Sequence, residues 1–125
     1  MYIMGDWNAR MQKHISKTER MVFGKWTFDS RNIDVKDLAD NVAWNRNRCI
    51  NFCLQHKLIL TNTFFKKPIE KTATHRIIGV IETAQIQKNT HQQIDFIATQ
   101  VRWKNSVKNA ESDTKANINS DHYQF

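Results

Sequence analysis

Between residues 45 and 65 a helical pattern passes into a strand pattern with almost no connection, and this junction constrains the fold more than any other feature of the chain. Cys49, Phe52, Cys53 and His56 recur at i, i+3, i+4 and i+7, and Ile50 and Leu54 widen the apolar stripe. Asn45 is suited to cap the start of this helix, and His56 and Lys57 suit its negative C-terminal end. Residues 58–65 (LILTNTFF) follow at once, rich in the aliphatic and β-branched residues that strands favour, and Lys66-Lys67-Pro68 end them. A helix followed directly by a strand calls for a mixed helix-and-sheet fold.

The flanking sequence adds shorter elements. Residues 2–8 read as a strand whose alternation puts Met4, Asp6 and Asn8 on one side and Ile3 and Trp7 on the other. Residues 10–40 mix acidic and basic side chains without a sustained period, as a long surface excursion with a short strand or turn at 22–28 would. A further strand is expected at 76–81 and a polar connection at 82–92. Residues 93–99 form a strand with Ile94 and Phe96 on one face and Asp95 on the other. The segment 103–110 reads as a polar strand that buries Val107, and 111–119 as a loop. There are no internal repeats or low-complexity tracts.

Composition narrows the class. The chain has 125 residues, enough for one domain, and 40% hydrophobic with 25% charged residues suits a globular chain rather than a disordered one. Nineteen Lys and Arg against twelve Asp and Glu leave a charge of +7, which favours an anionic partner, nucleic acid first. Many small basic proteins bind no nucleic acid, so the charge supports this reading without carrying it. Two cysteines cannot build a disulfide framework, and no run of eighteen apolar residues exists to span a membrane. The opening residues lack a signal peptide's basic flank, so an intracellular setting is the expectation. Three glycines and one proline are few for the turns of a finished α/β domain.

Chemistry is concentrated in three short stretches. A carboxylate two residues before a carboxamide, as in Asp6 and Asn8, can orient or deprotonate water while the amide donates to a phosphoryl oxygen. The plainer reading makes both of them turn residues after a strand. In Ser120-Asp121-His122 a turn could aim Asp121 at a hard cation and His122 at a phosphate oxygen, and Asp95 is a candidate acceptor to orient the imidazole. Alone, that tripeptide reads as polar sequence; the three stretches in order assemble what metal-dependent phosphodiester hydrolysis needs. Cys49, Cys53 and His56 have helical spacing that could hold zinc, but they sit among apolar residues with no second ligand cluster, as core cysteines do. His14, His75 and His91 are scattered and read as solvated. Trp7, Trp26, Trp44 and Trp103 read as core or interface residues, and Arg46, Arg48, Lys66 and Lys67 as a solvated face that could also contact phosphate.

Taken together, Gly5-Asp6-Trp7-Asn8-Ala9, the stretch from Asn51-Phe52-Cys53 to Phe65, Gln93-Ile94-Asp95-Phe96-Ile97, Arg102-Trp103 and Ser120-Asp121-His122 resemble the endonuclease/exonuclease/phosphatase family with its DNase I-like fold. The likeness covers nearly the whole chain and is strongest to the retrotransposon-derived endonuclease branch. It implies an α+β fold, part of a four-layer α/β sandwich of two packed mixed sheets flanked by helices, with the amino-terminal half missing. Residues 1–125 would then be one truncated domain. It also implies roles: Asp6 positions or activates the attacking water, and Asn8 holds the scissile phosphate. Asp121 helps bind Mg²⁺ (or Mn²⁺), His122 contacts the phosphate, Asp95 orients His122, and Ser120 supports the turn. The implied partner is DNA, in the nucleus, with no membrane and no small-molecule cofactor, and a reverse transcriptase domain in the parent polyprotein.

Two departures qualify the resemblance. The family's first half, with its metal-binding Glu, has no counterpart here, so the isolated chain is expected to be inactive. Relatives often carry a Thr-Trp pair before the Asp95 motif, where this chain has Thr72-Ala73-Thr74-His75-Arg76. The alternatives are a catalytically dead basic module that binds nucleic acid, or a nonfunctional remnant of a mobile element.

Overall fold

A computed structural model describes residues 2–29, 40–76, 91–107, 109–110, 112 and 122. These form an α+β arrangement: β1 (Tyr2–Asp6), α1 (Asp40–His56), β2 (Leu58–Leu60), β3 (His75–Arg76), β4 (His91–Gln92) and β5 (Asp95–Gln100). β5 is the centre of an antiparallel three-stranded sheet in the order β1-β5-β2, while β3 and β4 pair antiparallel in a second, two-stranded sheet. Most of the expected 76–81 strand, nearly all of the 82–92 connection and most of the 111–119 loop lie outside the described residues, as do Ser120 and Asp121.

α1 is longer than its apolar pattern, starting at Asp40, so Asn45 lies inside the helix rather than at its cap. Asp40 in the first turn suits the positive end of the helix dipole. The buried stripe is Arg46, Cys49, Ile50 and Cys53, the expected spacing moved three residues toward the N-terminus. Phe52 is exposed, and its ring instead leans on His56 at 4.4 Å between centroids. Apolar periodicity could not count Arg46, because the charge of that side chain is answered by a carboxylate far away in sequence. Arg46 donates to Glu19 through both terminal nitrogens and to the Lys13 carbonyl oxygen at 3.2 Å. This buried, multiply bonded pair fastens α1 to the loop before it. The Cys49 thiol is pushed up by its hydrogen bond with Cys53 and by burial. That is the behaviour of the core cysteines expected from the sequence.

Residues 10–29 are only in part a surface excursion: 15–18 are exposed, but much of the rest is core. Met11, Gln12, Val22, Phe23, Thr27, Phe28 and Asp29 are fully buried there. No hydrophobic period betrays them, because the segment holds its shape through side-chain bonds rather than a ladder. Thr27 Oγ1 donates to the Met11 carbonyl at 2.6 Å, and Arg10 grips Asp29 with two bonds of 2.7 and 3.2 Å. Phe23 forms a parallel bridge to Leu60, with Leu60 N donating to the Val22 carbonyl at 2.7 Å, which covers the outer edge of β2.

The strand expected over 58–65 stops at Leu60, and Thr61–Thr63 form a 3-10 turn. Polar side chains end it: Thr63 Oγ1 donates back to the Leu60 carbonyl at 2.6 Å, and Asn62 Oδ1 accepts from Ile97 N at 3.0 Å. Val101–Ser106 form another 3-10 helix where a strand at 103–110 was expected, and Val107 is half-buried. One core joins α1, the sheet and the 9–23 loop, built around Phe23, Ile50, Leu58, Leu60 and Phe96. Among the described residues no helix is long and apolar enough to cross a membrane.

Candidate functional site

The register of β1 against β5 decides the site. Asp6 is the direct antiparallel partner of Asp95. One step along, Trp7 N donates to the Ile94 carbonyl at 2.9 Å, so Asp6 and Asp95 occupy the neighbouring, non-hydrogen-bonded position, where opposed side chains approach most closely. Two carboxylates in that position repel each other unless something cationic or hydrogen-bonding lies between them. His122 is that group. Its Nδ1 donates to Asp95 Oδ2 at 2.7 Å and its Nε2 lies 3.8 Å from Asp6 Oδ2. The side chains grade from protected to open: Asp95 is 10% accessible, His122 34% and Asp6 47%. The buried end is anchored and the open end faces solvent.

Asp95 itself is held from behind. Thr74 Oγ1 accepts the backbone N–H groups of Ile94 and Asp95 at 3.0 and 3.1 Å, which fixes the start of β5 beside the second sheet. β1 ends at Asp6, and Asn8 adopts a left-handed φ of 47°, a conformation that asparagine tolerates better than most residues. Its backbone N–H donates to Asp6 Oδ1 at 2.7 Å. Asp6 and Asn8 therefore do not continue one strand face: the peptide N–H after the strand holds the Asp6 carboxylate, and the Asn8 side chain is exposed. The turn reading of these two residues and their place beside the site are both true.

His75, expected from sequence to be solvated, is half-buried. It forms an antiparallel bridge with His122, and the two rings lie 4.6 Å apart between centroids, tilted by 52°. Gln92 Nε2 donates to His75 Nδ1 at 2.7 Å, which fixes the ring. His91 is also no solvated residue: it is fully buried, and burial first, then the charges of Arg76 and His75, hold its pKa below the usual imidazole value. His14 is half-buried, stacked on Phe23 at 4.3 Å with Nε2 donating to the Phe23 carbonyl. Of the four tryptophans expected in a core or an interface, Trp44 and Trp103 are exposed and so lie outside the core.

Asp6, Asp95 and His122 each offer a ligand atom, and the three atoms lie within 4.8 Å of one another. Two carboxylates and an imidazole make a donor set that a small divalent cation can use, with water completing its shell. The same geometry also works without a cation: Asp95 hydrogen-bonds His122 Nδ1, and Nε2, 3.8 Å from Asp6, is placed to hold or pass a proton.

The fold and site together define an α+β chain with an acidic-imidazole cluster at the open end of a sheet. In sequence it is similar to Craniofacial development protein 2 of Bos taurus, 28% identical over 124 residues, and to the protein of that name from Tragulus javanicus, 27% identical over 124 residues. Each alignment takes in 98% of this chain but 17% of the relative, so the chain spans about a sixth of the length of these relatives. No family model and no solved structure matches the chain.

Proposed function

We propose that this chain carries part of the active site of a metal-dependent endonuclease with a DNase I-like fold, of retrotransposon-derived type, acting on phosphodiester bonds in DNA. The observation that carries the reading is the seating of His122 between the register partners Asp6 and Asp95. Asp95 orients the imidazole, leaving Nε2 directed toward Asp6 and solvent, where it can donate to a phosphate oxygen as charge develops. Asp6, the most open of the three, receives a water and orients it for in-line attack. Asn8 lies beside it at the surface, where its amide can donate to the scissile phosphate. Mg²⁺ or Mn²⁺, held by Asp121 (outside the described residues) together with the Asp6 side of the cluster, would supply charge neutralisation at the phosphate. Ser120 would support the turn that carries Asp121.

The resemblance also implies a metal-binding Glu that this sequence lacks, so the chain alone is expected to nick DNA at most at a trace level. A parent polyprotein with a reverse transcriptase domain, and a nuclear setting, belong to the same reading. Purified chain is incubated with supercoiled plasmid and Mg²⁺, beside an Asp6→Ala/His122→Ala control, and Mn²⁺-induced NMR broadening is recorded on both. Metal-dependent nicking lost in the control makes the chain hydrolytic by itself. No nicking with broadening centred on Asp6, Asp95 and His122 leaves a site short of one ligand, as proposed. Neither nicking nor localised broadening, in folded protein, sinks the reading and leaves a basic nucleic-acid-binding module. The charge of +7 favours that second reading.

A further inference from the structure

On the β2 side of the sheet, aromatic rings and lysines interleave. Lys25 Nζ lies 5.0 Å and Lys66 Nζ 5.6 Å from the centre of the Trp26 ring, and Lys104 Nζ lies 4.4 Å from that of Phe64. The three lysines are exposed, and both rings are half-buried. Next along the chain from Lys104, the Arg102 guanidinium lies 5.4 Å from the ring of the exposed Trp103.

The arrangement is built by backbone contacts rather than by chance proximity. Trp26 N donates to the Thr63 carbonyl at 3.2 Å, and Gly24 N donates to Thr63 Oγ1 at 2.8 Å, so residues 24–26 run alongside 63–64. Gly24 permits the approach: a Cβ there would overlap the Thr63 carbonyl oxygen and stand 2.9 Å from the Phe64 Cα. Three separate segments thus converge to set cations against ring faces.

We infer that the Trp26–Phe64 surface, with Lys25, Lys66 and Lys104, binds single-stranded nucleic acid. A nucleotide can engage both kinds of group at once: its base stacks on a ring face while its phosphate meets an ammonium. Stacking on Trp26 needs a base free of its own neighbours, which a single strand offers and a duplex does not. Lysine ammonium groups contact phosphate without reading sequence, so recognition is general. This surface does not depend on the hydrolytic reading, because none of its residues belongs to the Asp6–Asp95–His122 cluster.

The test is fluorescence anisotropy of the full chain with fluorescein-labelled (dT)20 and with a 20-base-pair duplex over a range of salt. Lys25→Gln/Lys66→Gln is expected to reduce the single-strand salt slope by about 1.4, at roughly 0.7 per phosphate contact. Trp26→Leu is expected to weaken (dT)20 binding by about tenfold, with Trp26→Phe keeping most of it. Because Trp26 is half-buried, the lysine pair, on the surface, carries the test if Trp26→Leu does not fold. Lys13→Gln/Lys57→Gln, charge-matched and elsewhere on the surface, is expected to change the slope little. Asp6→Ala/His122→Ala is expected to leave (dT)20 affinity unchanged, which separates this surface from the proposed hydrolytic site. Equal slope changes in the two lysine pairs, equal affinity for duplex and single strand, or no binding by the wild type would overturn the inference.

Discussion

Asp6 on β1 and Asp95 on β5 are register partners, and the imidazole of His122 lies between their carboxylates, 2.7 Å from Asp95 and 3.8 Å from Asp6. Opposed carboxylates on neighbouring strands cost stability when nothing separates them, on the order of 0.2–1 kcal/mol. Here His122 separates them, so the pair is compensated within the fold.

Replacing one carboxylate should therefore separate stability from cation binding. Asp6→Asn is expected to leave the metal-free melting temperature unchanged or slightly higher. Wild type should gain several degrees in Mn²⁺, because a cation at a hundred times its Kd adds about 2.7 kcal/mol to the folded state. Asp6→Asn should lose most of that gain. Thermal melts with and without Mn²⁺, checked against Ca²⁺ and high salt, give the answer; a full gain in Asp6→Asn would remove Asp6 from the ligand set.

Arg46 offers a stability prediction unrelated to the site. Its guanidinium is buried against Glu19 and lies 5.7 Å from the Phe23 ring centre. Arg46→Ala leaves Glu19 without its partner and is expected to cost about 3–5 kcal/mol. The double change Arg46→Met/Glu19→Gln should recover much of the loss, because it removes both charges and keeps the volume. Urea unfolding of the three proteins measures this directly.

Gly24→Ala probes the close approach of residues 24–26 to 63–64. The added methyl meets backbone rather than a flexible side-chain end, so neither wall yields readily. A loss of about 1–3 kcal/mol is expected, as for overpacking at other tight contacts. Urea unfolding reads the loss, and Trp26 emission should shift with it.

The pH dependence below neutrality should carry the mark of His91. Burial and the neighbouring charges of Arg76 and His75 keep its folded-state pKa below the ordinary value of 6.5. Above that value neither state binds the proton, and His91 contributes no slope. As pH falls through it, the unfolded chain takes up a proton that the native state refuses, so stability declines until the native imidazole also titrates. His91→Gln should flatten this part of the stability curve, measured by urea unfolding between pH 7 and 5. An unchanged slope would assign the decline to other groups.

Much of the fold was legible because it rests on local pattern. Period-two alternation located β1 and β5 within a residue or two, and the 3.6-residue period located α1 with its cysteines facing the core. What the pattern missed was polar. Arg46 occupies a core position that no hydrophobic count would award it, and Thr63 and Asn62 end β2 through bonds to Leu60 and Ile97. The buried part of residues 10–29 is held by bonds such as Thr27 to Met11 and Arg10 to Asp29, which span 16 and 19 positions of sequence. A buried polar side chain is stable only where its partner is, and that partner is set by the tertiary arrangement.

The candidate site divides along the same line. The sequence by itself determined which side chains could do chemistry, namely Asp6, Asn8, Asp95 and His122, and that a carboxylate could orient the imidazole, because residue type and order along the chain suffice for that. Only the tertiary structure decided that Asp6 faces Asp95 across two strands, that Asn8 leaves the strand while its N–H holds Asp6, and that the His75 ring lies tilted against His122. Strand register and ring contact come from pairing distant segments, as in the bond from Trp7 Nε1 to the Phe96 carbonyl 89 residues on, and no local pattern encodes the offset at which such segments meet.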